Sequence, residues 1–144
     1  MFIGEYNHKI DTKGRLIIPS KFRELFGEKF VVTRGVDGCL LGYSMDEWKI
    51  FLEKLKKMSM LDENQRTLKR FFSGAATECE IDEHGRVLIS PALRSYAKID
   101  KEVILNGAID HIEIWSKEVS EETNTYENIN EIAKKLATSM NIDL

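Results

Sequence analysis

Three successive apolar positions, Leu16, Ile17 and Ile18, lead through Pro19 to Phe22, Leu25 and Phe26 at i, i+3, i+4 spacing. The run predicts a short strand, and the spacing predicts a short helix with proline near its first turn. Seventy-one positions later the order returns, with Val87, Leu88 and Ile89 leading through Ser90 and Pro91 to Leu93, Tyr96 and Ala97. The echo extends further. Residues 30–44 align with 102–116 at an offset of 72, which matches Val31 to Val103, Gly35 to Gly107, Tyr43 to Trp115 and Ser44 to Ser116. Each stretch has two β-rich runs around a turn-like glycine and reads as a hairpin. Ser44-Met45-Asp46-Glu47 is a capping box, and it opens a helix with Trp48, Phe51, Leu52 and Leu55 on one face. A further helix is expected over Asp62 to Phe72. In the second copy the helix comes later, over Tyr126 to Met140, and carries Ile129, Ile132, Ala133 and Leu136.

The chain therefore reads as two tandem half-repeats, 1–72 and 73–144, each running β-hairpin, short helix, β-hairpin, helix. Neither half, at about 70 residues with short strands, has the apolar surface to fold alone. The economical arrangement is one compact domain over 1–144, of mixed α/β (α+β) class. In it the halves pair about a pseudo-two-fold axis and share a β-barrel core, with helices at the periphery.

Composition changes this picture little. Charged residues make up 31% of the 144 and apolar residues 42%, as in ordinary globular chains. No apolar run is long enough to span a membrane, and the N-terminal stretch lacks the pattern of a secretory signal, so a cytoplasmic location is expected. Cys39 and Cys79 read as reduced thiols in or near the core. His8, His84 and His111 lack metal-site spacing, so neither a metal nor another cofactor is expected. The net charge of −3 runs against a nucleic-acid partner at first sight. Its distribution is uneven, however. Residues 1–34 hold Lys9, Lys13, Arg15, Lys21, Arg23, Lys29 and Arg34 against four acids, whereas residues 113–144 hold three lysines against seven acids. The basic stretch of Lys54, Lys56, Lys57, Arg66, Lys69 and Arg70 reads as the wet face of helices.

The chemistry concentrates in the element just before each apolar run, Asp11-Thr12-Lys13-Gly14-Arg15 and Asp82-Glu83-His84-Gly85-Arg86. Asp11 and Asp82 can accept hydrogen bonds from the amides that follow them, and Gly14 and Gly85 supply the left-handed residue of a tight turn. Turn geometry makes no demand for the arginine. Arg15 and Arg86 either lock their hairpins as ion pairs with the aspartates or aim a guanidinium outward at a phosphate or base edge. His8, Lys9, Lys13, Lys21 and Arg23 lie near Arg15 in sequence; His84 and Arg94 lie near Arg86, but among Glu78, Glu80, Asp82 and Glu83. The first hairpin is thus expected to bind more strongly. No motif for nucleophilic catalysis or a phosphate loop is present. The enzymatic alternative would make Asp11 and Asp82 an acid–base pair in a shared cleft, and a further alternative is an oligomeric scaffold or protein-partner module without DNA binding, in which both arginines only lock their hairpins.

The opening MFIGEY-x-H-x-ID-x-KGR-x-x-IP-x-x-FR, the second ID-x-x-GR-x-x-I, the FFSGA segment at 71–75 and the segments LNG and IEIW closely resemble the MraZ family of bacterial transcriptional regulators. The resemblance spans residues 1 to about 117. It implies a swapped-hairpin β-barrel similar to AbrB, MazE and SpoVT, with both halves in one chain. It also implies a ring-shaped homo-oligomer that associates with the nucleoid. Such a ring would bind double-stranded DNA at direct repeats upstream of its own gene, usually as a repressor of the division and cell-wall gene cluster. The implied DNA-contacting residues are Lys13 and Arg15 in the first hairpin and Arg86 in the second, with Lys9, His8 and His84 beside them. His84 stands where the first copy has Lys13.

Overall fold

In the computed structural model, which describes residues 1–144, the strand after each repeated turn is only three residues long: β2 is Arg15–Ile17 and β6 is Arg86–Leu88. Within its own half, β2 is held by a bridge between Ile10 and Leu16 and by the bonds of Asp11 to Arg15 at its first residue. The two short strands pair with each other instead, antiparallel, with Arg15 opposite Leu88, Leu16 opposite Val87 and Ile17 opposite Arg86. The Ile18 amide then donates to the Gly85 carbonyl, and the Ile89 amide to the Gly14 carbonyl, each at 2.9 Å. Each half thus completes the backbone bonding of the other half's turn.

The remaining strands are β1 (Glu5–Lys9), β3 (Lys29–Arg34), β4 (Leu40–Ser44), β5 (Thr77–Glu80), β7 (Glu102–Gly107) and β8 (Ile112–Ser116). They form one antiparallel sheet in the order β1-β7-β8-β4-β3-β5. Exchanging the halves maps this order onto its own reverse. The first strand of each half lies on the hairpin of the other, β1 on β7 and β5 on β3. The sheet is open, with β1 and β5 at its edges, and the β2–β6 ribbon is separate. A sheet closed into a barrel by hydrogen bonds, as the sequence suggested, is therefore not seen.

The second hairpin also corrects the alignment. An offset of 72 holds for Tyr43 with Trp115 and Ser44 with Ser116, but register places Val31 opposite Tyr43 and Ile104 opposite Trp115. The counterpart of Val31 is thus Ile104, not Val103. A slip of one residue moves a side chain to the other face of the sheet, and Val103 packs with Phe30 on the opposite side from Val31 and Ile104.

The larger core cluster interleaves the halves: Leu16, Ile18, Phe22, Phe26 and Phe30 pack with Val87, Ile89, Leu93, Ala97 and Val103. Leu16, Ile18, Phe30 and Ile89 are fully buried. The helices contributing to this cluster are α1 (Ser20–Phe26) and α4 (Pro91–Tyr96), and Ser90 caps the latter by accepting from the Leu93 amide. On the opposite face of the sheet, α2 (Met45–Lys56) and α3 (Glu63–Ala75) lay Trp48, Leu55 and Phe72 over Val31, Leu41 and Tyr43. The buried Thr33 hydroxyl donates to the Phe72 carbonyl at 2.6 Å. Ser44 caps α2 through the Glu47 amide, as its capping box requires. Cys39 and Cys79 are free and buried in separate clusters, and burial pushes their thiols up to about 12 and about 11.

A helix follows the second hairpin directly. This α5 (Lys117–Thr123) is capped by Ser116, the counterpart of Ser44, through the Val119 amide. The sequence had placed only the later helix there. That helix, α6 (Tyr126–Met140), has the expected bounds but buries no side chain, and it leaves Ile129, Ile132, Leu136 and Met140 exposed. No helix is long and apolar enough to cross a membrane.

Because Leu16 sits where the halves meet, Leu16→Ala should lower stability by about 2–5 kcal/mol and leave unfolding in denaturant as a single transition. Two separated transitions, one unaffected by the substitution, would contradict a core shared by both halves.

Candidate nucleic-acid interface

In each repeated turn a single carboxylate organises the backbone. Asp11 accepts from the Lys13 amide at 2.9 Å and the Arg15 amide at 2.8 Å through Oδ1, while Oδ2 accepts from Arg15 Nε at 2.7 Å. Asp82 repeats the pattern, with the His84 amide, the Arg86 amide and Arg86 Nε each at 2.9 Å. Gly14 and Gly85 close the turns at φ +82° and +76°, in the left-handed region where other residues are strained. Both carboxyls are held below the ordinary aspartate value of 3.8, mainly by the amide of the following arginine, with partial burial opposing and the guanidinium assisting.

The arginine that turn geometry left unexplained is thus part of the turn, since each guanidinium forms an ion pair with its own aspartate. Only Nε is used. The Nη1 and Nη2 groups of Arg15 and Arg86 make no hydrogen bond within the protein, and the side chains are 34% and 27% exposed. Pinning Nε fixes the plane of the guanidinium and leaves its outer donors presented to solvent. The two roles that the sequence offered as alternatives are compatible on one side chain.

Exchange of the halves redistributes the other cations. Arg94, from the second half, lies against Gly14 of the first turn, where a Cβ would stand 2.9 Å from its Cζ; its Nε donates to the Ile89 carbonyl at 3.0 Å. Arg23, from the first half, lies against Gly85, where a Cβ would overlap its guanidinium. The chain-local grouping of Arg23 with Arg15 and Arg94 with Arg86 is therefore reversed, because α1 and α4 each cross to the other half's turn. No sequence periodicity carries that information.

Lys13 and His84 occupy equivalent exposed positions in the turns, and His84 Nε2 lies 3.6 Å from the neighbouring Glu83 carboxylate. Half-buried His8 and exposed Lys9 lie on β1, and with Asn7, Ile17, Glu102 and Lys117 they line a groove of about 350 Å³. The corresponding strand β5 carries Glu78, Cys79 and Glu80 instead, with Cys79 Sγ 4.0 Å from the Leu88 carbonyl. The flanks of the ribbon thus differ in charge. Antiparallel pairing of β2 with β6 sends the two turns to opposite ends of the ribbon, and both aspartates are biased toward the ionised form. This is not the geometry of an acid–base pair in one cleft.

The MraZ family profile, described as "MraZ protein, putative antitoxin-like", matches residues 1–71 and again residues 71–140. The chain belongs to the MraZ family. Relatives of this MraZ-family chain include proteins named transcriptional regulator MraZ from Caldicellulosiruptor bescii, 51% identical over 94% of this chain and 96% of that protein. Those from Caldanaerobacter subterraneus subsp. tengcongensis and Clostridium acetobutylicum are 52% and 51% identical, over 94% and 95% of this chain and 96% and 97% of theirs. The two MraZ matches meet inside α3, so the C-terminal turn of that helix leads into the second copy.

The carboxylate clamps set a pH expectation. Because folding depresses the two aspartate values, the clamp's stabilisation is present above 3.8 and is lost as pH falls through the lower folded values. The amide NMR shifts of Lys13 and Arg15 should therefore stay constant from neutral pH down to the ordinary aspartate range and move only below it. Titration of these amides at or above 3.8 would contradict the clamp.

Proposed function

We propose that this chain is a sequence-specific DNA-binding transcriptional regulator that contacts double-stranded DNA through its two clamped turns and the ribbon between them. The observation that carries the reading is the pinned guanidinium, present twice: Nε is fixed by an aspartate, while Nη1 and Nη2 remain free in both turns. A guanidinium fork of fixed orientation suits phosphate oxygens and the O6 and N7 acceptors of guanine. The names of the relatives point the same way.

In this reading Arg15 and Arg86 reach the bases or backbone, and Lys13 and His84 reach phosphates from the turn apices. Lys9 and His8 support the first turn from β1. The first turn is the stronger reader, because its apex carries lysine and its flank is basic, whereas the second has histidine between acidic neighbours. In this reading the chain is one compact domain of two half-repeats, 1–72 and 73–144, and the exchange of strands between them supports a one-chain version of the swapped-hairpin arrangement around an open sheet. Self-association into a ring is supported by the uncovered apolar stripe of α6. A ring would engage direct repeats upstream of the chain's own gene by avidity, as a repressor of the division and cell-wall genes, in the cytoplasm at the nucleoid. Monomer net charge then matters less than the cationic side chains, Lys13, Arg15 and Arg86, that each subunit presents.

The test is binding to the DNA immediately upstream of the chain's own gene. Arg15→Ala should cost about 1–3 kcal/mol per subunit, with larger losses in a multivalent complex, while thermal unfolding shows the fold retained. Arg86→Ala should cost less. Undiminished binding by a folded Arg15→Ala protein would refute the role of this residue, and an equal or greater loss for Arg86→Ala would reverse the ranking.

A further inference from the structure

The outer face of the β2–β6 ribbon carries four side chains. Leu16 and Val87 point into the core, so strand alternation turns Arg15 and Ile17 on one strand, and Arg86 and Leu88 on the other, away from it. In the antiparallel register the two arginines lie on one diagonal and the two aliphatics on the other, at about 7–8 Å between Cα atoms. Ile17 is 44% exposed and Leu88 62%. Single exposed aliphatics are common on protein surfaces. Two at equivalent positions of a repeat, adjacent on one ribbon and flanked by guanidiniums, need a better account. The aspartate clamps supply part of it, since each arginine is tied by Nε to the turn at its own end of the ribbon. The middle of the ribbon is left apolar.

We infer that Ile17 and Leu88 are specificity residues, which pack against the C5-methyl groups of thymines on the floor of the major groove while the flanking guanidiniums engage the adjoining phosphates or guanines. The inference rests on the DNA-binding reading and adds to it a sequence preference that arginine alone does not provide. A two-stranded ribbon is narrow enough to enter the major groove, and the thymine methyl is the apolar group exposed there. The flanking charge decides the occupant: free donors of Arg15 and Arg86 border the aliphatics, and His8, Lys9 and Lys117 outnumber the single acid, Glu102, in the groove beside Ile17. A polyanion fits those surroundings, whereas an apolar protein surface would have to leave the free guanidinium donors unpaired.

The test uses the duplex upstream of the chain's own gene, prepared with thymine or with uracil in its place, which deletes every C5-methyl and leaves the pairing edges intact. Wild-type protein should bind the thymine duplex more tightly, by about fourfold for each methyl contact. The double variant Ile17→Ala, Leu88→Ala should lose this preference and bind the two duplexes equally. Equal wild-type affinity for the two duplexes would overturn the inference without requiring any variant. A double variant that keeps the thymine preference would overturn it as well. In both of those outcomes DNA binding itself survives. Failure of the wild type to bind either duplex at low salt would instead remove the DNA-binding reading and this inference with it.

Discussion

Two backbone hydrogen bonds tie each half's short strand to the other half's turn, Ile18 N–H to the Gly85 carbonyl and Ile89 N–H to the Gly14 carbonyl. Between them Leu16 faces Val87 in the core. Strands of three residues cannot hold a hairpin by themselves, so without this exchange neither turn has a rigid base. With it, the pairing of β1 with β7 and β5 with β3, the open six-stranded sheet and the interleaved core follow as one arrangement. The same exchange carries Arg23 and Arg94 across to the opposite turns.

On that base the aspartates determine what the turns present. A carboxylate that accepts two amides and one Nε leaves its arginine with one ordered nitrogen and two free ones. Much of the orientational entropy of the guanidinium is removed on folding, before any ligand arrives, which favours recognition over a freely rotating arginine. The asymmetry between the halves is electrostatic: the backbone geometry is repeated, while lysine against histidine at the apex and Lys9 against Glu80 on the flank are not.

Much of this was legible in the sequence because it is local. The Asp-x-x-Gly-Arg turns, the short helices after Pro19 and near Pro91, the hairpins and the capping serine of α2 all follow from spacings within a few residues. Repetition revealed the pseudo-symmetry. What escaped was non-local. The partner of β2 is set by the fold, and so is the crossing of Arg23 and Arg94. The counterpart of Val31 was misread by one residue because the two copies differ in length between the short helix and the hairpin strand, and again in the hairpin turn. The α5 helix was missed although Ser116 matched Ser44, since the residues after Ser116 lack the glutamate of a capping box. The exposure of Ile17 and Leu88 was hidden inside runs that look wholly apolar; only the identity of the partner strand shows which face is wet.

If the free guanidinium donors and the lysine at the turn apex meet DNA phosphates, binding must release counterions. The most direct measurement is the salt dependence of the wild-type protein's affinity for the duplex upstream of its gene. The logarithm of the association constant should fall linearly with the logarithm of salt concentration, by about 0.9 for each phosphate neutralised, giving a slope of several when Lys13, Arg15 and Arg86 of more than one subunit engage. An affinity that does not change with salt, or no binding at low salt, would contradict recognition of DNA by these turns.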